Sequence, residues 1–122
     1  MIHGTVVGLQ ARINVIFCLR ESSNIEIECV VDTGFEGFLT LPSLVVTELR
    51  LPYIARIDAN LADNSNVAVN VYSATIVWQG IERDVAVLAM GSRPLIGTGL
   101  LEDYHLGIDF YDGGTVIIDE VL

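Results

Sequence analysis

An all-β domain with two short helices is what this 122-residue chain predicts, on three observations. Apolar and β-branched residues alternate with polar ones over most of its length, clusters of Ser, Asn, Asp and Gly interrupt the alternation, and only two stretches carry helical spacing. Val15, Phe17 and Leu19 alternate with polar or smaller residues, as do Ile25, Ile27, Cys29 and Val31, and Ser22-Ser23-Asn24 supplies a turn between the two runs. Setting Leu19 beside Ile27, Phe17 beside Cys29 and Val15 beside Val31 gathers the large apolar groups on one face, with Arg20 opposite Glu26 on the other. Cys18 then faces away from Cys29, so two free thiols are expected, in keeping with a reducing compartment.

Phe38-Leu39-Thr40-Leu41 reads as a short strand. Ser43 to Leu51 reads as a helix with Pro42 in its first turn, Val45, Val46 and Leu49 turned inward, and Pro52 stopping it. Runs from Ile54 to Ala62 and from Val67 to Trp78 form a long hairpin with a polar tip at Asp63-Asn64-Ser65-Asn66. Gln79-Gly80 turns the chain into a strand over Glu82 to Met90, and Gly91-Ser92-Arg93-Pro94 breaks it before Leu95-Ile96-Gly97. The second helix is expected to start at Thr98 as N-cap and to run through Leu100, Leu101 and Tyr104 to His105, with Glu102 and Asp103 near its positive end. Leu106 to Phe110 and Thr115 to Asp119 close the chain as strands joined by Asp112-Gly113-Gly114. The stretch from Val116 to Ile118 then reads as an exposed apolar edge, a natural subunit contact. With no linker, low-complexity tract or repeat, a single domain over residues 1–122 is expected.

Composition narrows the function. Sixteen acidic residues against 6 basic ones give a net charge of −10, and all 6 basic residues are arginine. The absence of lysine excludes a Schiff-base lysine, a phosphate-loop lysine and a lysine-rich nucleic-acid patch, and an acidic surface disfavours phosphate-backbone partners. At 52% apolar and 18% charged the chain has ample core material. Its longest uninterrupted apolar stretch, Val85 to Met90, is too short to cross a bilayer. No secretory signal opens the sequence at Met1-Ile2-His3-Gly4-Thr5, so a soluble cytoplasmic protein without membrane or nucleic-acid partners is expected.

Several familiar sites fail on residue type. Two histidines, His3 and His105, and two thiols on opposite faces give no zinc-ligand spacing. Asp58, Asn60 and Asp63 resemble the start of a calcium loop, but its fifth and twelfth positions would be Ala62 and Val69. Gly91-Ser92 lacks the flanks of a nucleophile elbow, and Gly97-Thr98-Gly99 is followed by Glu102 where a dinucleotide fingerprint needs glycine. Neither a metal nor a cofactor is implied.

Val30-Val31-Asp32-Thr33-Gly34-Phe35 is different. Asp32 ends an apolar strand, where a charge is costly unless hydrogen bonds or chemistry compensate it. The glycine-spaced turn Phe35-Glu36-Gly37-Phe38, a short strand and a proline-led helix follow, and a second apolar pair with glycine, Leu95-Ile96-Gly97, enters the second helix.

With these segments the chain resembles the retropepsin-like aspartic proteases, and within them the small prokaryotic single-domain group in which phenylalanine follows Asp-Thr-Gly. The resemblance covers nearly the whole chain: Asp32-Thr33-Gly34-Phe35, the long hairpin that corresponds to the family's flap, Leu95-Ile96-Gly97 with its helix, and Gly107-Ile108-Asp109-Phe110. It implies a closed, mainly antiparallel β-barrel of acid-protease type with one or two short helices. Asp32 would be catalytic, Thr33 and Gly34 would support the active-site loop, and Gly34 would also let substrate backbone approach. Phe35, Glu36, Ile96 and Gly97 would line the substrate site together with Asp63, Asn64 and Ser65 of the flap tip. Viral members usually carry alanine and aspartate where this chain has Phe35 and Glu36, so subsite shape does not transfer, and the tip lacks the family's glycine cluster.

Aspartic proteolysis needs two carboxylates sharing a proton, and this chain has one Asp-Thr-Gly. A two-fold homodimer acting on a peptide or protein substrate is therefore expected. The alternative is a peptide-binding or dimerisation module on the same fold, in which Asp32 only caps its loop.

Overall fold

The computed structural model describes all 122 residues. Ten strands and two helices follow in the order β1 (Ile2–Val7), β2 (Gln10–Cys18), β3 (Ile25–Val31), β4 (Leu39–Leu41), α1 (Ser43–Leu49), β5 (Tyr53–Asn60), β6 (Asn66–Trp78), β7 (Ile81–Ala89), β8 (Leu95–Ile96), α2 (Thr98–Leu101), β9 (Tyr104–Ile108) and β10 (Thr115–Glu120). They form one sheet in the order β5-β6-β7-β4-β8-β3-β2-β1-β10-β9. Because β2 also pairs with β6, the six strands from β6 to β2 close into a ring. All pairings are antiparallel except β3 with β8 and β4 with β7. No helix is long and apolar enough to cross a membrane.

Alternation builds the core. Ala11, Ile13, Val15 and Phe17 of β2 all point inward and meet Cys29, Leu39, Leu41, Ile76, Val87, Ile96 and Leu100. Cys29 and Cys18 are free and lie on opposite faces of their hairpin, as expected. The register of that hairpin differs from the expected one. Val15 pairs with Ile27, Phe17 with Ile25 and Ile13 with Cys29, so Ile16 and not Arg20 stands opposite Glu26. The difference is an even number of residues, which leaves every side chain on its expected face. Burial fixes only that parity; the exact register is held by the pairing of Ile16 to Cys18 with Val77 to Thr75 of β6.

Strand β1 accounts for a second departure. It turns into β2 through Gly8 and Leu9, both left-handed at φ 59° and 61°, a conformation that a leucine does not advertise in sequence. Gly4 lies so close to β2 that an added Cβ would stand 2.1 Å from the Arg12 carbonyl oxygen. β1 then pairs with β10, which sits between β1 and β9 with Val116 and Ile118 fully buried. The terminal strand is therefore not the exposed apolar edge read from sequence.

The helices are shorter than expected. Pro42 precedes α1 at the N-cap position, and Arg50 ends it in a left-handed conformation at φ 54°. Val46 is buried, and Val45 and Leu49 pack half-buried on the core. α2 has four residues and begins at Thr98, with Gly97 as N-cap. Glu102 and Asp103 follow its C-terminal end, and Tyr104 and His105 belong to β9, where Tyr104 meets Trp78 edge-to-face at 6.0 Å. The pull of that aromatic contact and of the β9–β10 ladder outweighs the helical spacing.

Candidate active-site loop

Parallel pairing of β3 with β8 delivers Asp32 to its position. Val31 pairs with Ile96, and the Asp32 N–H donates to the Ile96 carbonyl at 2.8 Å, the last bond of the ladder. The chain then folds back on the aspartate itself: the Gly34 N–H donates to Asp32 Oδ1 at 2.9 Å and the Phe35 N–H to the Asp32 carbonyl at 3.2 Å. Asp32 is half-buried, while Thr33 and Gly34 are exposed. The chain's one ion pair joins Arg12 to Glu28 at 3.0 Å, so no cation of this chain neutralises Asp32.

The turn after Asp32 is locked to the entry of α2. The carbonyl of Phe35 accepts from the Thr98 N–H at 2.8 Å and from Thr98 Oγ1 at 3.3 Å. The Gly97 N–H donates to the Phe38 carbonyl at 3.0 Å and the Gly99 N–H to the Gly37 carbonyl at 3.1 Å. These bonds demand glycine: a Cβ on Gly97 would stand 2.1 Å from the Gly37 carbonyl oxygen and 2.5 Å from the Phe35 ring, and one on Gly37 would stand 2.4 Å from that ring. Phe35 thus packs half-buried over two glycines. Thr98 and Gly99 were missing from the sequence-derived site, and the signal for them was Gly97-Thr98-Gly99, whose glycines serve close backbone packing and not a dinucleotide.

No family model matches the chain, and no curated protein matches it. Among solved structures, the crystal structure of a retropepsin-like aspartic protease from Rickettsia conorii aligns over 93% of this chain and 84% of that one, with a TM-score of 0.51 and 18% sequence identity. The chain shares that protease's fold.

Within this fold, the sequence-derived residues divide into two groups. Asp32, Gly34, Phe35, Glu36, Ile96 and Gly97 come together in the locked turn. Asp63, Asn64 and Ser65 sit at the tip of the β5–β6 hairpin, which makes no hydrogen bond to that turn. The tip is held by its own bonds. Asp63 Oδ1 accepts from the Ser65 N–H at 3.0 Å and from Ser65 Oγ, the Leu61 N–H donates to Ser65, and Asn64 takes the left-handed position at φ 67° that a glycine would otherwise fill. The bonds from Ser65 hold the Asp63 carboxyl below its ordinary range. Thr33 is exposed, and neither side-chain hydrogen bond of the turn uses its hydroxyl.

Proposed function

We propose that the chain is an aspartic endopeptidase, active as a homodimer in which Asp32 of each copy supplies one carboxylate. The observation that carries this reading is an aspartate held half-exposed on a turn whose backbone is committed to the Gly97 segment, in a fold shared with an aspartic protease. In the paired site one carboxylate takes a proton from a water whose oxygen attacks the scissile carbonyl carbon, while the other, protonated, donates to the carbonyl oxygen. The tetrahedral diol then breaks its C–N bond as a proton passes to the leaving nitrogen, which yields an acid and an amine. Thr33, with no role inside one chain, would hydrogen-bond across the seam to the second copy's loop. Gly34, free of a side chain, leaves room for substrate backbone, and the β5–β6 hairpin would enclose an extended peptide with Asp63, Asn64 and Ser65 at its tip. The reaction needs no cofactor.

A peptide-library cleavage assay tests this reading. Asp32→Asn, nearly isosteric, should keep the fold and lower turnover by about 10²–10⁴-fold or more. A pair that works with one shared proton loses activity when it gains a second or gives up the first. The rate should therefore follow a bell-shaped pH profile on the acidic side of neutrality, be blocked by statine-type transition-state mimics and be indifferent to chelators. Undiminished cleavage by Asp32→Asn would remove the assignment. The bond from Gly34 to Asp32 Oδ1 also suits a loop cap, so binding of peptides by the parent without any cleavage would favour the binding module.

A further inference from the structure

The tip of the β1–β2 turn and the β9–β10 connection meet and expose side chains that nothing within the chain uses. The Val6 N–H donates to the Gly114 carbonyl at 2.9 Å, the Gly113 N–H donates to the Val6 carbonyl at 2.8 Å, and the Gly8 N–H donates to Asp112 Oδ1 at 3.1 Å. The connection is braced further by Thr115 Oγ1 donating to Asp109 Oδ2 at 2.8 Å and by bonds between Tyr111, Asp109 and Gly114. On this rigid backbone Leu9 is 68% exposed, Phe110 64% and Tyr111 60%. Large aromatic side chains on a preorganised platform lose little freedom when covered, which is the character of an interface anchor.

The β2–β3 ladder ends at Arg12 and Val30, two residues from Gln10 on one strand and two residues from Asp32 on the other. We propose that Leu9, Phe110 and Tyr111 form the seam against which a second copy of this chain docks, which joins the two Asp32 loops. This inference rests on the homodimeric peptidase reading, under which one chain holds an incomplete site. Charge supports the choice of occupant. Each copy carries −10, which opposes self-association, yet this end of the molecule also holds Arg93, which bonds to Gln10 Oε1 at 2.7 Å and has no carboxylate partner. Across a two-fold seam Arg93 is available to Asp109 or Asp112 of the other copy, a pairing that favours the symmetric contact.

Sedimentation velocity over a concentration series tests the seam with Leu9→Asp and Phe110→Asp, and with Tyr111→Ser as a gentler variant. Leu44→Asp, 78% exposed on α1, is the control for added charge. Because all four side chains are exposed, the variants should keep the parent's circular dichroism and urea midpoint. The parent should dimerise, each seam variant should weaken the dimer by about tenfold or more, and Leu44→Asp should match the parent. Parental dimer affinity in the seam variants, equal weakening by Leu44→Asp, or a parent monomeric at every concentration would each overturn the seam. Parental dimerisation with weaker binding of a peptide inhibitor would overturn it too, by making the patch a substrate surface. A seam variant that is monomeric and still cleaves peptides at full specific activity would leave the seam standing and remove the two-carboxylate reading.

Discussion

Gly97 decides whether the two halves of the candidate site can meet. A methyl group there has backbone, not a movable side chain, 2.1 Å away, so Gly97→Ala should lose about 1–3 kcal/mol in urea denaturation as β8 and the Phe35 turn are forced apart. Gly34→Ala is the contrast. Its methyl would meet only Asp32 Oδ1, at 3.3 Å, so its stability should stay within about 1 kcal/mol of the parent while turnover falls, because the methyl stands where substrate backbone would approach. Cys29 gives a pH signature: burial pushes its thiol up to about 12, well above the ordinary thiol range, with Glu28 adding to the rise. The folded state therefore holds the proton that the unfolded chain gives up, and this contribution is intact below pH about 9 and lost as pH rises toward about 12. Urea midpoints should fall more steeply over that window in the parent than in Cys29→Ala; equal slopes would contradict the burial argument. Asp32, Gly34 and Gly97 were legible as sequence because motif and glycine spacing mark them. The seating of Phe35 on Gly37 and Gly97 was not, since a contact across some sixty residues leaves no period to read.

Among the elements, the β5–β6 hairpin is the one proposed as a lid. β5 bonds only to β6, and Ile57 and Val67 of its arms stay exposed, so the hairpin has little core to anchor it. Its amides should exchange faster than those of β2 and β7 and gain protection with a bound peptide inhibitor; identical exchange in the two states would argue against a lid. The tip should survive mild acid. Because Ser65 holds the Asp63 carboxyl down, the stabilising contribution of that turn is present above the ordinary carboxylate range and is lost only as pH falls through the lowered value. Exchange at Ser65 in the parent should therefore rise only in strong acid, whereas Asp63→Ala should show it already at neutral pH. The hairpin was legible in the sequence because its alternation runs long on both sides of a polar tip. β1 was not, because Gly4 and His3 interrupt its apolar pattern and its turn uses a leucine. That omission is also why β10 looked like an edge.

At the scale of the whole molecule, the sequence reading reached the β-rich class and the protease-like fold, and it missed how the ring closes. The β2–β6 pairing joins strands about sixty residues apart, so no local period announces it. The net charge of −10 bears on assembly: two such copies repel, so raising ionic strength should tighten the dimer as the Debye length shrinks below about 10 Å. Activity per chain should fall on dilution, and more steeply at low salt.

The pairing of two Asp32 carboxylates is tested most directly by mixing. Parent chain is titrated with Asp32→Asn at constant total protein, subunits are allowed to exchange, and peptide cleavage is followed against the parent fraction. Because only a dimer of two parent copies holds both carboxylates, activity should follow the square of that fraction. Activity that falls in direct proportion to the parent fraction would mean that a single Asp32 suffices, and would contradict the account.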